Sequence, residues 1–191
     1  MAISGMQICW YLWVAFLVIW LIWAIRAKPT RVRESVSSRL SYVVLTIAAF
    51  YAMFSGDIPA GWLHTRLFAA NLGTEVLGIV ITAAGLVFAV WARAYLGGNW
   101  SGAVTVKVGH ELVRTGPYRW VRHPIYSGMI LAMAGTALER RQVRGVIAVV
   151  LLYAGFKIKS KIEEQTMAAT FGQAYADYMK TTGAILPKLR W

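Results

Sequence analysis

Positions 110–128 hold most of the side chains in this chain that could do chemistry. They gather two of its three histidines, three arginines, two tyrosines and two prolines. An imidazole can move a proton near neutral pH, and guanidinium and phenol groups can hold a small polar ligand. Two carboxylates, Glu163 and Glu164, follow further along, after an apolar segment. A carboxylate at the end of a membrane helix is costly unless it is paired. It either neutralises Arg119, Arg122, Lys159 or Lys161, or binds a cation, and both readings stand on the residues alone. His123 can equally be a helix cap, Arg114 and Arg119 solvated charges, and Tyr118 and Tyr126 members of an interfacial aromatic belt.

The elements that must position these groups follow from the prolines and the hydropathy. A residue before proline is pushed out of helical geometry, so Gly116-Pro117 reads as a turn. Proline suits the first position of a helix, so Pro124 opens the apolar segment after His123. With 58% hydrophobic and only 15% charged residues among 191, the chain is too apolar for an ordinary soluble domain and reads as an all-α integral membrane protein. About five transmembrane helices are expected, at 8–25, 40–54, 72–92, 124–138 and 145–156, the last two as a short helical hairpin. The first is too long for a signal-peptide core and is expected to remain as a span. Trp10, Trp13, Trp20 and Trp23 serve in part as its interfacial anchors.

Lysine and arginine fix the orientation. Under the five-span reading sixteen of the twenty lie on one side, which the positive-inside rule makes cytoplasmic. The N-terminus is then outside, and the loop 93–122 and the tail 157–191 are inside. The basic turn at Arg140, Arg141 and Arg144 fits this poorly. Ile158, Ile162, Phe171, Tyr175 and Tyr178 give the first part of the tail a helical stripe, and Gly172 marks a break. One domain is expected, with three N-terminal spans in 1–92 and the polar loop, helical hairpin and tail in 93–191.

Several classes drop out. The basic residues, net +12, flank apolar spans, a pattern of anchoring to anionic lipid and not of nucleic-acid binding. No glycine-rich dinucleotide fingerprint, P-loop or His-Glu-x-x-His motif occurs. His110 and His123 are too far apart for a local metal pair, and Cys9 is the lone cysteine, inside an apolar run. No metal site is expected.

From Leu96 onward the chain resembles the isoprenylcysteine carboxyl methyltransferase family, prokaryotic members included. The resembling blocks are Gly98-Asn99-Trp100-Ser101; His110, Leu112, Val113, Gly116, Pro117 and Tyr118; Arg122, His123, Pro124, Tyr126 and Gly128; Glu163 and Glu164; Phe171, Gly172, Tyr175 and Tyr178; and Leu186-Pro187. The first three spans resemble it only in hydropathy.

The resemblance implies a membrane methyltransferase that uses S-adenosyl-L-methionine outside a Rossmann fold. By that analogy His110, Glu111, Leu112 and Val113 border the adenosine, with the backbone of Leu112 and Val113 at the adenine. Tyr118, His123, Pro124, Ile125 and Tyr126 enclose the rest, and Glu163 holds the methionine ammonium. Arg122, Lys159 and Glu164 are the candidates at the reacting end. The family's substrate-orienting arginine, four residues before the glutamate, is replaced by Lys159, a point charge instead of a planar fork. Methyl transfer to an anionic oxygen needs no base; an amine or phenol acceptor would need Glu164, His123 or Tyr126. A lipophilic or prenylated acceptor would enter between spans, and membrane lipid is the other partner. An NADPH-dependent sterol-type reductase and a non-enzymatic membrane scaffold are the alternatives.

Overall fold

The computed structural model of the chain describes residues 3–25, 30–33, 35–100, 105–107 and 111–188, with the backbone alone at 30–33, 99 and 105–107. Among these, three helices are long and apolar enough to cross a bilayer: α1 (Gly5–Ala24), α2 (Val36–Phe54) and α3 (Leu72–Leu96). The chain is an integral membrane protein. Each of the three starts on a side-chain cap, Ser4, Ser35 and Asn71 in turn, which accepts a backbone N–H of the first turn. α4 (Pro124–Arg140) opens at the proline, as the sequence predicts. α5 (Val143–Phe171) returns beside it after a two-residue turn with Arg141 in the left-handed region, φ 58°. Gly172, φ 52°, ends α5 and admits the short α6 (Gln173–Thr181).

Two features depart from expectation. The span at 145–156 and the charged tail helix are one continuous α5 of 29 residues. The charges from Lys157 onward end the apolar run but not the helix, because Lys and Glu propagate helix well. The fold is also not wholly helical. β1 (Thr30–Arg33) and β2 (Thr105–Lys107) pair antiparallel, joining the loop after α1 to the loop after α3.

Helix ends alternate. The Gly5 N–H donates to Glu75 at the start of α3, 3.1 Å, and Arg93 near the end of α3 donates to the Trp23 carbonyl of α1, 3.0 Å. At the Gly5 end lies the basic turn that fits the charge rule poorly. Arg144 donates there to the Ser55 carbonyl at the end of α2 and to Gln142, each at 2.7 Å, so this charge is held by the chain itself.

The tightest packing joins α3 to α4. Around Gly85 and Gly128 the backbones touch: a Cβ at Gly85 would lie 2.5 Å from the Ala132 nitrogen and the Gly128 carbonyl oxygen. Small residues allow such approach in membranes, where packing replaces the hydrophobic drive between helices. Polar contacts reinforce it, since Trp13 Nε1 donates to Thr136 Oγ1 at 3.0 Å and the Thr82 and Thr136 hydroxyls lie 3.2 Å apart. Trp13 is therefore a buried core residue, 6% exposed, and not an interfacial anchor. Cys9, also buried, sits 3.6 Å from the Thr82 hydroxyl.

Candidate active site

The loop from Glu111 enters α4 through a single 3-10 turn, Gly116–Arg119. It is clamped from the other side by the segment after α6. The Arg122 and His123 N–H groups donate to the carbonyls of Gly183 and Ala184, 2.8 and 3.0 Å. Ser127 Oγ donates to the Ile185 carbonyl at 2.5 Å, and the Arg122 guanidinium reaches the Thr182 carbonyl. Tyr178 Oη donates to the Tyr118 carbonyl at 2.5 Å. This strap was not legible in the sequence, which shows only Gly183 and Pro187 ending regular structure.

Against the clamped loop, α5 presents both carboxylates. Glu163 accepts from Tyr126 Oη at 2.5 Å and lies 3.2 Å from His123 Nδ1. Glu164 Oε1 accepts from Arg122 Nε and Nη2 at 2.9 and 2.7 Å and meets His123 Nε2 at 3.1 Å. Of the cations considered for neutralising the pair, Arg122 bonds Glu164 and the charge of Lys159 acts on Glu163, and the structure adds His123 to both. His123 bridges the two carboxylates, its ring stacked on Tyr126 with centroids 5.5 Å apart, and Tyr126 stacks in turn on Phe156 at 4.5 Å. Lys159, 9% exposed, directs its ammonium toward the faces of Tyr42 and Tyr126, 5.1 and 5.4 Å from the ring centres.

The electrostatics follow. Burial alone would favour neutral His123, but its hydrogen bonds to Glu163 and Glu164 outweigh that and raise its pKa. Burial opposes ionisation of Glu164, yet His123 and Arg122 hold it down to about 2. Glu163 is likewise held below the usual carboxylate range, burial being overcome by His123 and then by the charge of Lys159. The cluster thus biases both carboxylates toward their ionised forms and the imidazole toward its cationic form.

These groups border a cavity of about 700 Å³. Glu111, Leu112, Val113, Tyr118, Arg122, His123, Pro124, Ile125, Tyr126, Lys159 and Glu163 all line it. His110 lies outside the described residues. Glu164 stands behind Arg122 and His123, bonded to both. The hydroxyl of buried Tyr118 faces no hydrogen-bond partner among the described residues, and burial raises its pKa. Sequence reasoning missed Tyr175, Tyr178 and Met167 as lining residues, together with the aromatic face of α1. The signal for that face was present in Trp10, Trp13, Leu17 and Trp20, which recur at helical spacing.

The sequence model of the phospholipid methyltransferase family matches residues 74–174, just over half of the chain. The chain belongs to that family of membrane methyltransferases. Within it, the chain is similar to the protein-S-isoprenylcysteine O-methyltransferase of Saccharomyces cerevisiae, 30% identical over 64% of this chain and 54% of that protein. It is also similar to the methanethiol S-methyltransferase of Pseudomonas deceptionensis, 32% identical over 38% of this chain and 27% of that one. Among solved structures it resembles a eukaryotic intramembrane Ras methyltransferase, an isoprenylcysteine carboxyl methyltransferase. That likeness has a TM-score of 0.56 and 26% identity, and covers 80% of this chain and 50% of that one. The family resemblance read from the loop motifs is thus borne out. The chain matches about half the length of the yeast protein and of the solved structure.

Proposed function

We propose that this chain transfers a methyl group from S-adenosyl-L-methionine to a lipophilic acceptor, a carboxylate such as that of an isoprenylated cysteine being the class the resemblance favours. The observation that carries this is Glu163, an ionised carboxylate on the wall of a cavity otherwise rich in aromatic side chains. The residues present fit the cofactor: an anion for its ammonium, the backbone at Leu112 and Val113 for its adenine, and the Tyr118 hydroxyl, without a hydrogen-bond partner among the described residues, for a polar edge. When bound, the cofactor supplies a methyl group on a positively charged sulfur.

The chain's own residues then have separable tasks. Tyr126 and His123 hold Glu163 ionised and aimed into the cavity. Pro124 and Ile125 shape the wall beside them, and Glu111 borders the adenosine end. Arg122 and Glu164 brace His123 against the strap. Lys159 offers an acceptor anion a point charge. With both ring nitrogens engaged by the carboxylates of Glu163 and Glu164, His123 is poorly placed to take a proton from an acceptor, which favours an acceptor that arrives as an anion and needs only in-line approach with water excluded.

For the topology, the reading is five spans with the N-terminus outside and the site and C-terminus cytoplasmic. The polar cofactor then arrives from the cytoplasm while the acceptor enters sideways from lipid. The test is incubation of the purified chain with methyl-labelled cofactor and a panel of prenylated thioether acids, phospholipids and small thiols. Label in the prenylated acid supports the reading. Thermal stabilisation by NADPH and none by S-adenosylhomocysteine would replace it with the reductase.

A further inference from the structure

The cavity does not end at the charged cluster. From Tyr126 and Glu163 it continues past Met129 and Phe156, between α1 and α2, to Trp10 and Phe54. Those two side chains also line a second hollow, whose other walls include Ser4, Gln7 and Arg140. Trp10 and Phe54 therefore stand as the partition between a long apolar cavity and a vestibule at the far end of the bundle whose other walls mix Ser4, Gln7 and Arg140 with Met6.

The wall leading to the partition is braced at Trp13. Trp13 is held by its bond to Thr136 and packs edge-on against Phe50, with ring centres 5.0 Å apart. Trp10, by contrast, is 49% exposed and carries no such bond among the described residues. Along α1 the distance from Trp20 to Trp10 is about 15 Å, at the usual helical rise. That is half of a hydrocarbon core of roughly 30 Å, the depth available to one lipid tail.

We infer that Trp10 and Phe54 are specificity-determining residues that set the longest hydrocarbon tail the acceptor can carry. A tail whose head lies at Lys159 and Tyr126 can run beside Trp20, Leu17 and Trp13 and must stop at Trp10. A longer tail would displace an aromatic ring or enter the vestibule against Ser4, Gln7 and Arg140, where polar groups would lose water without gaining partners. This inference rests on the acceptor class proposed above, and it adds the dimension that class leaves open.

The experiment uses the full chain in nanodiscs with geranyl, farnesyl and geranylgeranyl thioether acids, read by methyl transfer and, separately, by thermal stabilisation from each acid without cofactor. The expected result is an optimum chain length that Trp10→Ala and Phe54→Ala each move up by one prenyl unit. In both, kcat/KM for the longest acid relative to the shortest should rise on the order of tenfold, with stabilisation by S-adenosylhomocysteine unchanged. An optimum that stays where it is in both folded variants overturns the inference. If no acid is methylated but stabilisation depends on tail length and Trp10→Ala relaxes that dependence, the length limit stands and the proposed reaction falls.

Discussion

Replacing Glu164 by glutamine removes one charge and leaves the side chain's shape, so its cost measures the ionised network directly. In the folded chain its carboxyl is held down to about 2 from an ordinary 4.5. That difference corresponds to about 3 kcal/mol of stability at neutral pH, lowered to about 2 kcal/mol because solvent reaches part of the side chain. The sign is set by the depressed pKa. The contribution is complete above the unfolded value, declines as pH falls below about 4.5, and is gone below about 2. For a domain of this size about 2 kcal/mol shifts Tm by roughly 4–8 °C. Thermal unfolding of the native chain and Glu164→Gln in detergent, scanned from pH 7 to pH 3, should show that gap at pH 7 and less than half of it at pH 3. A gap of the same size at both ends would mean that the loss is one of packing or hydrogen bonding, and the charge argument would be refuted.

Other consequences are simpler to state. Gly85→Val should disrupt the α3–α4 contact by more than about 3 kcal/mol, because the new atoms meet backbone that cannot yield; loss of a monodisperse peak in detergent gel filtration is the readout. Thr136→Val leaves Trp13 Nε1 without its acceptor and should cost about 1 kcal/mol in thermal unfolding, within the range measured for hydrogen bonds within membranes. Lys159→Arg should raise kcat/KM for carboxylate acceptors relative to thiol acceptors, since a fork grips a carboxylate in two places; an unaltered ratio would place Lys159 away from the acceptor.

How much of this was legible in the sequence depended on whether a feature was local. The turn at Gly116-Pro117, the helix start at Pro124 and the break at Gly172 are encoded by the residues that make them. Glu163 and Glu164 were legible as a problem, carboxylates needing partners, but sequence distance hid which cations would supply them. Arg122 and His123 meet the pair from a loop whose backbone is pinned by the strap beyond α6. The continuity of α5 was lost because hydropathy reports the end of an apolar surface and not the end of a helix. Pairing of β1 with β2 joins short segments of different loops, and no alternation in either announces it. The aromatic face of α1 was visible as spacing, yet tryptophan in a membrane segment reads first as an interfacial anchor; only the neighbouring helices show that Trp13 faces inward.

Whether the Glu163 carboxylate receives the positively charged end of the cofactor is read by equilibrium binding of S-adenosylhomocysteine to the native chain and to Glu163→Gln by calorimetry at pH 7. That ligand keeps the ammonium and lacks the sulfonium charge, so the measurement isolates the ammonium contact. Loss of a charge-assisted hydrogen bond should weaken binding by about 1.5–3 kcal/mol, on the order of ten- to a hundredfold. Equal affinity in a Glu163→Gln protein that unfolds as cooperatively as the native chain would contradict the account.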